Sequence, residues 1–325
     1  MIDNGSVPHV CVVVAFYHPA MTMALRQIES LAQQEGVKLS CVAVLDGRET
    51  AKNDELAESL SKIGATLVRT PEAKGVRAAF ARGLEAALNA FPDPSTLFAY
   101  CDQDDVWHPQ KLRRSADCLR VKAASLVHCD ARVMDDAGLE ISGSLHRFES
   151  RSETSNFIEV LLLNNVTGMT AVFNAEVAQL ALEVMRTYDG ELLHDHITAV
   201  AAALIGDVVF LDDPLVDYVQ HGDNRIGAKP HRSAWRRRML GLSHLSLYRQ
   251  TSRRLFDERQ TLCSRLGQLR KLPACLDTMF VNDRAKGSLR VLPCYATHVT
   301  RLMAKGQFRR AMLCLRMLDA ALSRS

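Results

Sequence analysis

An α/β fold, with a mostly parallel central sheet, helices on both of its faces and a helical C-terminal region, is what this 325-residue sequence predicts. Three observations predict it. Short β-branched runs alternate with amphipathic helical stretches through the first part of the chain, a pattern that joins parallel strands by crossover helices. Acidic residues stand at the ends of several of those runs, the sheet edge where open α/β folds bind ligands. Charge also divides along the chain. From His231 onward there are 20 Lys and Arg against 5 Asp and Glu, or +15. With 40 basic and 37 acidic residues in all, the first 230 residues hold 20 against 32, or −12.

His9 to Phe16 (HVCVVVAF) is a strand, and after the break at His18 and Pro19 a helix carries Met21, Leu25, Ile28 and Leu31 on one face. Leu39 to Leu45 repeats the strand signal and ends in Asp46 and Gly47. A polar helix over Ala51 to Ile63, a strand over Ala65 to Val68 and a helix from Val76 to Phe91 follow. Thr96 to Cys101 is then a buried strand that delivers the stretch YCDQDDVWHP, Tyr100 to Pro109. Pro109 to Val121 reads as a helix, Ser125 to Cys129 as a strand, and the Asp-Ala-Gly stretch beyond it as a hairpin turn. Phe157 to Leu163 and Ala175 to Arg186 read as helices around a strand at Gly168 to Phe173. ELLHDHITAVAAALIG forms an apolar helix headed by His194, Asp195 and His196, and the strands Val208 to Leu211 and Leu215 to Val219 close this half. Strand signals cease near Lys229 and Pro230. The reading is therefore a catalytic domain over residues 1–229 and a basic helical region over 230–325.

Composition is that of a globular protein, 47% hydrophobic and 24% charged. Nine cysteines, an odd number without a C-x-x-C pair, suit buried thiols in a reducing compartment. The first basic residue is Arg26, and the apolar run from Val10 is broken at His18, so neither a signal peptide nor a spanning helix is expected. The expected location is cytoplasmic.

The chemistry concentrates at Asp102, Asp104 and Asp105. Two carboxylates one residue apart suit a hard cation, Mg²⁺ or Mn²⁺, which takes oxygen ligands and leaves positions for phosphates. The competing reading is an acidic turn that caps the helix begun at Pro109. Asp46 with Gly47 is either a turn or a hydrogen-bond partner for a base or ribose. Lys74 and Arg77 are solvated charges at a helix start or partners for a diphosphate. Adjacent side chains on a helix diverge, so His194, Asp195 and His196 do not share one ion. His221, in the QHGDN stretch, reads alone as a loop histidine.

Together, strand-end Asp46, Lys74-Gly75, CDQDDVW, VHCD, NNVTGMTAVF, LHDH and VDYVQHGDN resemble family 2 glycosyltransferases with the GT-A fold, especially the rhamnosyltransferase-like branch. The resemblance spans about residues 9 to 227, and its strongest part is DQDDxWxPxK, Asp102 to Lys111, combined with the later HD and QHGxN segments. It implies that Phe16, Asp46, Lys74, Asp102 and Asp104 bind the nucleotide-sugar donor. It further implies that Asp102, Asp104 and His221 hold the cation and that Asp195 is the base. Asp105, Trp107, Thr167, Gly168, His194 and His196 are expected around the acceptor or behind these groups. The first strand ends in AFYHP where the family has a Thr-Tyr-Asn type segment, and a single Asp stands before Gly47 where the family has a pair. No Gln-x-x-Arg-Trp signature of processive synthases occurs. The implied activity is inverting transfer of one hexosyl or deoxyhexosyl unit to a glycan or lipid-linked acceptor, as in polysaccharide biosynthesis.

Two rivals share parts of this pattern. A nucleotidyltransferase also pairs an α/β nucleotide domain with aspartate-held cations. A nucleic-acid-binding protein would use the basic C-terminus, but basic residues there alternate with leucines rather than stacking aromatics, so no nucleic acid is expected. That segment is expected instead on an anionic membrane surface, peripheral to its inner face, or on an acidic partner.

Overall fold

The computed structural model describes residues 7–47, 51–151, 153, 157–220, 228, 245–273, 296–297, 299–300, 303–304, 311–312, 314–315 and 318. The β-branched run His9–Phe16 forms β1, with α1 at Met21–Ala32, β2 at Lys38–Asp46, α2 at Ala51–Lys62, β3 at Thr66–Thr70, α3 at Val76–Ala90 and β4 at Leu97–Cys101. Strands β3, β2, β1 and β4 lie side by side in that order, all parallel. Strands β1 and β4 are nearly all apolar, as strands buried on both faces are. Val10, Cys11, Val12, Val13 and Val14 are each fully buried. The α3 helix lies against the sheet at Gly83, where a Cβ would come within 2.4 Å of Val13 Cγ1 and 2.9 Å of Val44 Cγ2. Only hydrogen fits there.

Beyond β4 the direction mixes. The next elements are β5 (Val106–Trp107), α4 (Lys111–Lys122), β6 (Leu126–Asp135), β7 (Glu140–Ser142), α5 (Leu145–Glu149) and α6 (Phe157–Leu162). A 3₁₀ turn at Gly168–Thr170 leads into β8 (Ala171–Phe173), followed by α7 (Ala175–Thr187), α8 (His194–Ile205) and β9 (Val208–Gln220). The sheet order is β3-β2-β1-β4-β8-β6-β9-β5, with β7 on β6. Strand β8 runs antiparallel between β4 and β6, β6 and β9 are parallel, and β5 and β7 pair antiparallel with β9 and β6. The sheet is thus α/β and mixed, parallel throughout its first four strands. The two expected strands flanking Asp212 and Asp213 are one 13-residue strand, β9. Register shifts between Cys129 and Arg132 absorb Asp212 and Asp213 and set Asp130 opposite Pro214, and beyond them Arg132 pairs with Asp217, which its side chain also holds by two bonds of 2.6 and 2.8 Å.

The chain forms two compact units. The first comprises residues up to Phe157, Asn164–Arg186 and Leu193–His231. The second comprises Ile158–Leu163, Thr187–Leu192 and Arg232–Ser325. Two short segments that the sequence reading kept within residues 1–229 therefore group with the C-terminal part. The reason is packing on α9, Leu245–Leu269. Buried Arg259 donates from Nε to the Leu161 carbonyl at 3.0 Å, and the Tyr188 hydroxyl reaches the Glu258 carbonyl at 3.4 Å. Phe256, Leu262, Cys263 and Leu266 are buried in this unit. Among the described residues no helix is long and apolar enough to cross a membrane, and the seven described cysteines are free thiols.

Candidate active site

Strand order places β1 between β2 and β4, so the carboxyl ends of three adjacent parallel strands open on one edge. Phe16, Asp46 and Asp102 all stand there. Asp46 is buried and accepts a hydrogen bond from Thr70 Oγ1 at 2.5 Å, while Gly47 N–H donates to the Thr70 carbonyl at 2.8 Å. Gly47 needs its glycine: φ is 105°, and a Cβ would sit 3.6 Å from the Tyr17 ring. The Phe16 side chain, expected at the donor, is instead 2% exposed and part of the core. Side-chain alternation along the strand turns it inward, and the next ring, Tyr17, is the exposed one. Tyr17 N–H donates to Gln103 Oε1 at 2.8 Å, tying the β1 loop to the acidic turn. Neither residue carries a sequence signal of its own, although both lie inside the AFYHP and DQDD segments. Lys74 is exposed just before α3.

The acidic turn is fastened from below. Strand β5 pairs Val106 with Asp217 and Trp107 with Val216, and His108 N–H reaches the Leu215 carbonyl at 3.0 Å. Asp105, fully buried, accepts from Val219 N–H at 3.3 Å. It therefore ties the turn to β9 and does not cap α4, whose first flanking residue is Gln110. Trp107 is 2% exposed, with Lys111 Nζ 3.3 Å from its ring centroid, so of its two expected placements it takes the one behind the turn. Lys111 is itself fully buried, and burial pushes its pKa down to about 8.

Asp102 and Asp104 are half-buried. Burial, with Asp104 and then Asp195 nearby, pushes Asp102 up to about 7. Burial and its neighbours Asp104 and Asp102 push Asp105 well above the usual carboxylate range. Crowded carboxylates with oxygen donors fit a hard divalent cation, which would relieve their repulsion. Among the described residues no three His, Cys, Asp or Glu side chains form a cluster able to hold an ion. His221, the expected third ligand, lies outside the described residues.

The head of α8 supplies the other side. Asp195 lies in its first turn and accepts from His196 N–H at 2.7 Å; the flanking residue is Leu193, so Asp195 is not the cap. Burial raises Asp195 to about 6. His196 N–H, Arg151 and the backbone N–H groups of Asp195 and Gly168 pull the other way. Gly168 belongs here because a Cβ would meet His194 Nε2 at 2.9 Å and Asp195 Cβ at 3.6 Å. His194 is buried at the head of α8. Its ring stacks on Phe80 at 3.8 Å and meets Tyr100 edge-on at 4.7 Å, and burial pushes its pKa down to about 3, so it is neutral. His196 is buried on the same helix. Thr167 accepts from Arg151 Nη1 at 2.6 Å, a residue for which nothing in the sequence gave a signal.

The sequence profile described as glycosyl transferase family 2 matches residues 11–179, more than half of the 325-residue chain. The chain belongs to that family. Glycosyl transfer is accordingly its class of activity. No curated protein matches this family 2 chain. Among solved structures, S. aureus TarS 1-349 in complex with UDP-GlcNAc is similar at 12% identity and a TM-score of 0.51, over 97% of this chain and 90% of that one. A second TarS structure gives 11% and 0.50, over 97% of this chain and 54% of the other. A mannosyltransferase from Pyrobaculum calidifontis, in complex with GDP-Man and Mn2+, gives 18% and 0.49 over 98% and 87%. At these identities the TarS likeness speaks for the shared GT-A fold alone.

Proposed function

We propose that this family 2 member is an inverting glycosyltransferase that moves one hexosyl or deoxyhexosyl unit from a nucleotide-diphosphate sugar to a glycan or lipid-linked acceptor. The observation that carries the reading is the meeting of two separate carboxylate groups. The acidic turn after β4 comes near enough to Asp195 on α8 for Asp195 to help raise Asp102. Inversion needs a base on the side of the sugar away from the leaving diphosphate, so it must come from a different part of the chain. Asp195, raised to about 6, is ionised at neutral pH yet close enough in proton affinity to take a hydroxyl proton. Asp46, with exposed Tyr17 beside Gly47, is suited to the nucleoside. Exposed Lys74 is suited to the diphosphate.

Asp102 and Asp104 would hold Mg²⁺ or Mn²⁺ with His221. When bound, the cation supplies positive charge against the leaving diphosphate. We assign residues 1–229 to catalysis and the basic remainder, in a cytoplasmic protein, to peripheral docking on membrane or an acidic partner. The test is incubation with a panel of nucleotide sugars and Mn²⁺, with products resolved chromatographically. Nucleoside diphosphate and free or transferred sugar are expected; pyrophosphate would instead identify a nucleotidyltransferase.

A further inference from the structure

Arg151 sits outside every motif of the sequence, yet its side chain engages Glu149, Asn165 and Thr167 at once. Helix α5 ends in Ser150, held at φ 52°, and this reversal lets Arg151 N–H bond the His146 carbonyl at 2.8 Å and turns its side chain inward. Nε and Nη2 both lie 2.8 Å from Glu149 Oε2. Nη1 donates to the Asn165 carbonyl at 3.2 Å and to Thr167 Oγ1 at 2.6 Å. Those two residues lead directly into Gly168, where a Cβ would meet His194 Nε2 at 2.9 Å and lie in ordinary contact with Asp195 Cβ at 3.6 Å. A planar fork with its donors in fixed directions can hold an acid and a loop at once, which a lysine cannot.

We propose that Arg151, anchored by Glu149, is a positioning residue for Asp195: it fixes the Asn165–Gly168 loop against the head of α8. The inference rests on the reading of Asp195 as the base.

The test is steady-state kinetics of the full-length chain with the active panel donor and Mn²⁺. Arg151→Gln should lower kcat by about tenfold or more while leaving the donor KM within about twofold, and Arg151→Lys should not restore kcat, because an ammonium cannot reproduce the fork. In an Asp195→Asn background Arg151→Gln should cost no further rate, since it acts through Asp195, whereas a merely structural arginine would cost the same in both backgrounds. A parent-like kcat in Arg151→Gln, or an equal further loss in the Asp195→Asn background, overturns the proposal; should Arg151→Gln not fold, Glu149→Gln in the same two backgrounds decides by the same outcomes. Failure of the base reading looks different: Asp195→Asn would then release nucleoside diphosphate from UDP-GlcNAc and Mn²⁺, or whichever panel donor is active, at more than a tenth of the parent rate.

Discussion

At the scale of single residues, the site separates groups that hold charge from groups that support them. Asp104→Asn deletes a formal charge from the turn without changing side-chain shape. It should abolish cation-dependent binding of nucleoside diphosphate while leaving the melting temperature near the parent's, and calorimetry with and without Mn²⁺ checks this. Asp195→Asn should keep donor binding and lower transfer about 10² to 10⁴ fold. The parent's transfer rate should rise with pH through about 6, because Asp195 accepts a proton only when ionised. Lys111 gives a stability test. Its folded pKa, about 8 against an ordinary 10.5, means the unfolded chain binds more protons between those values, so its penalty is full below pH 8 and disappears as pH rises toward 10.5. Lys111→Met should therefore be the more stable form at pH 7 by on the order of 3 kcal/mol, with the difference shrinking toward pH 10.5 in denaturant titrations. A constant difference across that range would show that the lysine is not buried as a charge.

At the scale of elements, close backbone approaches position the site more than propensity does. Gly83→Ala gains intrinsic helicity, worth about 1 kcal/mol, but forces α3 off Val13 and Val44. A net loss of about 1 to 3 kcal/mol is expected, read as a lower denaturation midpoint. Most elements were legible in the sequence to within a few residues, because β-branched runs bounded by Pro and Gly have few alternatives. The pieces that were not legible share a cause. Strand β5 has two residues, too short for any periodicity, and it exists because β9 offers an open edge. The single strand β9 was read as two because Asp212, Asp213 and Pro214 interrupt its apolar pattern, while pairing to β6 carries it through.

At the scale of the whole molecule, charge makes the remaining prediction. The +15 balance from His231 onward should bring the full-length chain onto vesicles containing anionic lipid and not onto neutral ones, with binding lost as salt rises. Equal flotation with both vesicles would remove the membrane proposal.

The order of strands and helices, the acidic and HD segments and the two-part charge distribution are local properties of the chain, and local pattern was enough to read them. Their meeting was not local. Nothing in the spacing of Asp102 and Asp195 says that α8 returns to the carboxyl edge of β4, because that depends on β8 inserting antiparallel between β4 and β6. Burial sorted the candidates further. Phe16, Trp107 and His194 are all buried, which their segments alone do not show. Arg151 was decided by tertiary structure alone: an arginine in a polar stretch has no sequence signature until Glu149, Asn165 and Thr167 close around it, since hydrogen-bond partners 2, 14 and 16 residues away are selected by the fold and not by the pattern.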